Sequence, residues 1–291
     1  KPSSTVKVKL VKSRVEPQLD DRIIHENRLE IMTHGRAVFR RVVSNTDRAI
    51  GTRLSGELSQ LHGQGLFKGN IQYRMTGVAG QSLGAYLVDG IELRLKGIAN
   101  DYVGKGMNGG LITIRLDKSV RETKANMTII GNTALYGATG GRIHIAGRAG
   151  ERFAVRNSGA TAVVEGIGNH GCEYMTRGTV IVLDSIGQNF GAGMTGGTAF
   201  LYSQTKSNLD NINKDYVKTA PINEDDELLI MRLLRSHRFH TGSPFAKDVI
   251  THWNKKKIHF SKIVPKAMEI INLDKIYNQQ ASYRMGVLLN E

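Results

Sequence analysis

The sequence predicts a mainly β protein built around a parallel β-helix of about six to seven coils, with an N-terminal arm and a short C-terminal helical tail. Three observations predict it. Of the 33 glycines, 25 fall between Gly77 and Gly197. A glycine directly precedes each of six short apolar stretches, at Gly90, Gly110, Gly141, Gly159, Gly178 and Gly197, with spacings of 20, 31, 18, 19 and 19 residues. A period near 19 leaves no room for a β-α-β crossover, which needs about 30 residues. It fits one coil of short strands joined by tight bends, where glycine supplies positive φ at low cost. These six glycines are therefore assigned to coil corners, and the long spacing to a charged loop at 117–126 inserted into one coil.

The division follows the glycines. Residues 1–76 read as an arm that leads into the repeat and caps it. Its alternating start (Val6, Val8, Leu10), the run from Leu19 to Ile24, and the apolar stretches at Ala37-Val-Phe and Val42-Val predict strands and a helix or two. Residues 77–205 form the repeat, in which Ile112, Ile114, Ile143, Ile145, Val180 and Val182 alternate as inward-facing strand positions. Residues 206–291 are a linker and helical tail. Asn223 is placed as an N-cap, followed by Glu224-Asp-Asp-Glu in the first turn, an apolar stretch from Leu228 to Leu234, and Arg235, His237 and Arg238 before Gly242. Each group suits the helix dipole. Ser243-Pro244 predicts a second helix through Trp253.

Composition excludes several function classes. No apolar run approaches the 18 or so residues of a membrane span, and Lys1-Pro-Ser-Ser-Thr lacks the apolar core of a secretory signal. The expectation is a cytoplasmic location, organelles being the alternative, with no membrane contact. A start at Lys1 without Met predicts a piece of a longer product. The lone Cys172 excludes an internal disulfide framework or a multi-cysteine metal or iron–sulfur site from this chain alone. The net charge of +14 is spread along the chain, with about +7 in residues 1–76, +3 in 77–205 and +4 in 206–291. Aromatic residues are not interleaved with the basic ones, so no nucleic-acid groove is predicted.

Three stretches match the dinucleotide fingerprint by letter: Gly104-Lys-Gly106-Met-Asn-Gly109, Gly166-Ile-Gly168-Asn-His-Gly171 and Gly191-Ala-Gly193-Met-Thr-Gly196. The fingerprint works only when its last glycines open a helix onto a pyrophosphate, and these run into strands or another repeat. His170-Gly-Cys172-Glu173 is the one place where imidazole, thiol and carboxylate meet, and on a strand His170 and Cys172 would share a face. No third, orienting group is identifiable there, so a buried structural cysteine is expected. His237 and His240, with His252 and His259, have metal-ligand chemistry, but a place at a helix end predicts a dipole role. Arg148, Glu151, Arg152, Arg156 and Glu165 are expected to form ion pairs lining coil corners, or an interdomain contact. Catalytic, cofactor-binding and metal-ligating residues are thus all predicted to be none.

Several of these segments together resemble the C-terminal glycine-repeat (GXGXG) domain of the glutamate synthase large subunit. They include Asn45-Thr-Asp-Arg-Ala-Ile-Gly-Thr-Arg-Leu-Ser-Gly, Ala99-Asn-Asp-Tyr-Val-Gly-Lys-Gly-Met, Ile130-Gly-Asn-Thr-Ala-Leu-Tyr-Gly-Ala-Thr-Gly-Gly, Arg148-Ala-Gly-Glu-Arg-Phe-Ala-Val-Arg-Asn-Ser-Gly-Ala and Asn189-Phe-Gly-Ala-Gly-Met-Thr-Gly-Gly. The resemblance runs from about Leu19 to Pro265. It implies a right-handed β-helix without catalytic residues, in an oxidoreductase of ammonia assimilation that makes glutamate from glutamine and 2-oxoglutarate. It also implies partners, an amidotransferase domain and a synthase domain carrying FMN and an iron–sulfur cluster, which the glycine repeat holds in register. No cofactor is expected on the repeat itself. The chain departs from the family's pattern at Asn169, where Asp is usual, and at Arg177, where Gly is usual. The alternatives are the glycine-repeat subunit of formylmethanofuran dehydrogenase, and an independent binding module using the outer β face.

Overall fold

The protein is described by a computed structural model covering residues 18–63, 65–117 and 127–267. The alternating start at Val6, most of the inserted loop and the end of the tail lie outside these residues.

The order of elements is α1 (Leu19–Glu26), α2 (Arg28–Met32), β1 (Arg36–Val43), α3 (Thr52–His62), β2 (Asn70–Ala79), β3 (Ile91–Ala99), β4 (Asn108–Arg115), β5 (Thr128–Ile130), β6 (Gly140–Ala149), β7 (Ser158–Gly166), β8 (Arg177–Val182), β9 (Thr198–Tyr202), β10 (Val217–Ala220), α4 (Glu224–Thr241), α5 (Pro244–Thr251), α6 (Trp253–Lys256) and β11 (Phe260–Pro265). Among the described residues the strands form one eleven-stranded sheet in the order β1-β2-β3-β4-β6-β7-β8-β9-β11-β10, with β5 paired to β3 and β6. All neighbours from β1 to β9 are parallel, whereas β11 runs antiparallel to both β9 and β10.

This corrects the predicted fold class. The structure is a mixed, mostly parallel sheet with helices, not a right-handed parallel β-helix of six to seven coils between two caps. Each repeat adds one long strand to the sheet, and the rest of the repeat is mostly turns. The segments assigned as caps extend the same sheet instead. Strand β1 pairs with β2 over eight residues, from Arg36↔Asn70 to Val43↔Gly77. The boundary placed at 76/77 therefore falls inside β2. Glycine density marks where turns are tight, and a strand that carries few glycines leaves no such mark.

The two faces of the sheet have different fates because side chains alternate along a strand. Ile112, Ile114, Ile143, Ile145, Val180 and Val182, all fully buried, point into the larger apolar core with Tyr73, Leu93 and Leu201. On the opposite face Val163, Ile181, Leu183 and Phe200 make a second core with Ile230, Leu233 and Leu234 of α4 and Ala246 and Val249 of α5. A partly covered surface of this kind needs a helix with one apolar face, and α4 supplies it.

Helix α4 begins as the sequence requires. Asn223 accepts a hydrogen bond from the Asp226 amide at 2.9 Å, and Asp226 accepts one from the Asn223 amide at 3.1 Å. The helix ends at Gly242, in the left-handed conformation at φ 66°. Ser243 caps α5 through the Ala246 amide at 3.1 Å, but α5 stops at Thr251, with Trp253 opening the separate turn α6. Among the described residues no helix is long and apolar enough to cross a membrane.

Candidate functional site

The most distinctive local structure lies in the turns between strands. In six successive repeats, the first, third and fifth residues of a five-residue stretch all take positive φ, between 54° and 77°. The triplets are Ser82, Gly84, Tyr86; Tyr102, Gly104, Gly106; Thr133, Leu135, Gly137; Arg152, Ala154, Arg156; His170, Cys172, Tyr174; and Asn189, Gly191, Gly193. Left-handed backbone costs a non-glycine residue about 1–2 kcal/mol, yet most of these positions are not glycine. Hydrogen bonds between repeats offset that cost. The first and last amides of a triplet donate forward and the middle one donates back: Tyr102 to Asn132 at 2.9 Å, Gly106 to Tyr136 at 2.8 Å, and Gly104 to Leu83 at 2.8 Å. The same pattern recurs at Arg152, Ala154 and Arg156, which donate to Asn169, Ala134 and Glu173.

This alternation separates the residues of the supposed nucleophile cluster. His170 and Cys172 lie in a turn, not on a strand. The middle residue of each triplet faces the core, so Cys172, like Leu135 and Ala154 at the matching positions, is fully buried. Burial pushes its thiol well above the usual range, leaving negligible thiolate at neutral pH. His170 faces outward, its Nδ1 2.8 Å from Glu173 Oε1. Asn189 of the next repeat donates to the same carboxylate oxygen at 2.9 Å, and Asn213 donates to Asn189 Oδ1 at 2.7 Å. The cluster is a polar ladder joining repeats.

A second ladder runs one residue before the triplets. The Asn132 amide donates to Asp101 Oδ1, the Glu151 amide to Asn132 Oδ1 and the Gln188 amide to Asn169 Oδ1, each at 2.8 Å. Asn169 thus accepts as an aspartate would, and its Nδ2 also donates to Glu151 Oε1 at 3.1 Å, which an aspartate could not do. Arg177 opens β8 with its Nε donating to the Ser158 carbonyl at 3.1 Å.

The six glycines assigned to corners stand at strand entrances. Gly90, Gly110, Gly141, Gly178 and Gly197 have φ between 76° and 97°, and Gly159, whose φ is not positive, packs so closely that a Cβ would sit 2.0 Å from the Thr139 carbonyl oxygen. The first and third glycine fingerprints lead into β4 and β9, and the second spans the end of β7 and the turn at Cys172. None opens a helix. Of the expected ion pairs, Arg148 lies 3.7 Å from Asp184 and hydrogen-bonds Ser185, while Glu165 hydrogen-bonds Ser243 at the start of α5.

The histidines of the tail go to different places. His237, on α4, is fully buried against the His144 ring on β6, with centroids 5.6 Å apart, and its Nε2 lies 3.7 Å from Glu165. His240 stacks on His144 at 5.3 Å, and Ser236 Oγ is 3.0 Å from His144 Nε2. His252 pairs with Asp248 and His259 lies against Tyr202. Among the described residues no three His, Cys, Asp or Glu side chains are arranged to hold a metal ion. Sequence reading missed His144 because nothing local marks a strand histidine that meets a helix more than ninety residues later.

His144 joins α4 to the sheet, and it is sensitive to acid. Burial, then the neighbouring His237, His240 and Arg142, hold its pKa well below the usual histidine value. His240 is lowered in the same direction by burial and by Arg94, against the opposing charge of Glu92. Both rings are therefore neutral in the folded state at neutral pH. Their contribution is complete above about pH 6.5, the unfolded histidine value, and is lost as pH falls below it. We expect the urea midpoint to drop between pH 7.5 and 5.5, and the drop to shrink in His144→Gln. An equal drop in that variant would assign the acid sensitivity elsewhere.

Stacked repeats with alternating left-handed turns and glycine at the tightest positions define a class of glycine-repeat protein. The chain matches the GXGXG motif family over residues 20–266 and belongs to that family. It is 45% identical over 254 residues to the ferredoxin-dependent glutamate synthase of Pyropia yezoensis, a match covering 86% of this chain and 16% of that protein. It is 43% identical over 227 residues to the large chain of the NADPH glutamate synthase of Bacillus subtilis (77% and 15%). It is 40% identical over 272 residues to the NADH glutamate synthase of Schizosaccharomyces pombe (92% and 13%). The chain thus corresponds to the glycine-repeat region of the glutamate synthase large subunit and spans 13–16% of the length of these relatives.

Proposed function

We propose that this chain is a non-catalytic structural domain of a glutamate synthase, holding the amidotransferase domain and the FMN and iron–sulfur synthase domain in register. The observation that supports this reading is the use to which its reactive side chains are put. Cys172 is sealed in the core, and His170, Glu173 and Asn189 hydrogen-bond one repeat to the next. In this reading FMN and the iron–sulfur cluster are bound by other parts of the enzyme. The electron donor is also set elsewhere, because relatives named for ferredoxin, NADH and NADPH all match this region at 40–45% identity.

The test is made in the full-length enzyme. The substitutions His170→Ala and Glu173→Gln should leave kcat for glutamine-dependent glutamate formation close to wild type. A fall of about 100-fold or more, the range produced by losing a general acid or base, would refute the non-catalytic reading.

A further inference from the structure

Among the described residues, the sheet face opposite the main core is covered only in part. Helices α4 and α5 pack over β7 to β9, and α4 reaches across β6 to β4, whereas on β1 to β4 the same face carries arginines. The registers place them in one row across the strands: Arg40↔Arg74, Arg74↔Arg94, Arg94↔Thr113 and Thr113↔His144. Adjacent strands are about 4.8 Å apart, so three guanidinium stems rise side by side. A second row, Thr76↔Lys96↔Arg115, flanks the first. Like charges directly opposite on a sheet are destabilising, so the arrangement carries a standing cost.

These rows line a groove of about 500 Å³ that ends against His240 of α4, a volume within the range of small-ligand sites. Among the described residues no carboxylate lines it. Arg94 is paired with Glu92 at 2.8 Å and Lys96 with Asp117 at 3.0 Å. Arg74 reaches only the neutral Gln72, and Arg40 and Arg115 have no carboxylate partner among the described residues. The floor holds a second, independent observation that points to a ligand. Thr113 is only 2% exposed, and among the described residues its hydroxyl has no hydrogen-bond partner; nor has Nδ1 of His240, which lines the same groove. A buried hydroxyl left unsatisfied costs about 1–3 kcal/mol, which an acceptor entering the groove would recover.

We propose that this groove binds a small oxyanion carrying at least two negative charges, with Arg40, Arg74 and Arg115 supplying charge-assisted hydrogen bonds and the Thr113 hydroxyl donating from the floor. Planar guanidinium groups suit either phosphate or carboxylate oxygens in paired contacts. The site is separate from the turn ladders and does not depend on the structural role proposed above. It gives the domain a ligand-responsive face on the sheet edge that β1 forms.

Phenylglyoxal labelling of the full-length protein, mapped by mass spectrometry, tests it. Arg40 and Arg74 should react in the free protein and be protected by millimolar pyrophosphate or citrate, while the exposed Arg232 on α4 reacts equally in both conditions. Protection by pyrophosphate alone identifies a phosphate-bearing ligand, and protection by citrate alone a polycarboxylate. In calorimetric titrations with the protecting anion, the Arg40→Gln/Arg74→Gln double variant should bind at least tenfold more weakly, with a melting temperature in the absence of anion no lower than that of wild type. Equal labelling with and without both anions, or unchanged affinity in the double variant, would overturn the proposal. Arginines that fail to react even in the free protein would also overturn it, in favour of an acidic segment of the polypeptide already seated in the groove.

Discussion

Gly97→Val is expected to destabilise the folded protein by about 3–5 kcal/mol, combining overpacking with left-handed strain. Gly97 lies in β3 directly opposite Gly77 of β2, at φ 152°, and a Cβ there would sit 1.8 Å from the Gly77 carbonyl oxygen. That oxygen belongs to backbone held in an eight-residue parallel pairing with β1, so it has no rotamer through which to retreat. The next rung repeats the crowding, since a Cβ on Gly77 would meet the Val43 carbonyl oxygen at 2.2 Å. Three strands approach at one level because two of them lack side chains there. Gly56, in α3, is the control: a Cβ on it meets nothing within 4 Å. Gly56→Ala should therefore be stabilising by about 0.5–1 kcal/mol, the usual preference for alanine within a helix. Urea denaturation with a common m-value reads both changes. Equal midpoints for the two variants would show that the close approach at Gly97 is readily relaxed.

Asp20→Ala is expected to cost about 2–4 kcal/mol, because one side chain satisfies several buried donors at once. Asp20 Oδ1 accepts from the Gly51 amide at 2.9 Å and the Tyr73 hydroxyl at 3.2 Å, and Oδ2 accepts from the Arg53 amide at 3.0 Å and the Leu54 amide at 3.4 Å. Gly51 begins α3 and has no side chain to cap it. The cap comes from α1, thirty-one residues earlier, and fastens α1, α3 and β2 together. Removing the carboxylate leaves the first turn of α3 and a fully buried tyrosine hydroxyl without acceptors. Asp20→Asn keeps the size and one acceptor and should fall between wild type and alanine. Tyr73→Phe, which removes a donor along with its need, should cost about 1 kcal/mol or less. A loss below about 0.5 kcal/mol in Asp20→Ala, the scale of surface substitutions, would show that water replaces the carboxylate.

These two residues mark how far the sequence could be read. The spacing of glycine phrases gave the repeat and its strands, and the inward positions from Ile112 to Val182 are buried as alternation requires. The N-cap at Asn223 and the stop at Gly242 were legible because the groups that decide them are adjacent in the chain. Asp20 was visible only as one residue of the run from Leu19 to Ile24. Its partners on α3 and β2 are more than thirty residues away, and nothing local announces them. The turns misled for a related reason. Glycine was taken as the sign of left-handed backbone, yet Arg152, Ala154 and Arg156 adopt it without glycine, because the hydrogen bonds that compensate belong to neighbouring repeats.

The sequence by itself determined the period, the strands that follow the six glycines, the inward faces, the ends of the long helix and the kinship with glutamate synthases. Each depends on residues close in the chain or on long matching runs. Tertiary structure alone decided that the arm and tail extend one mixed sheet, that Cys172 is sealed while His170 faces out, that His144 meets α4, and that Arg40, Arg74 and Arg94 stand in a row. These are outcomes of strand register, and register is fixed by the simultaneous burial of many side chains along many strands, so no single segment carries it.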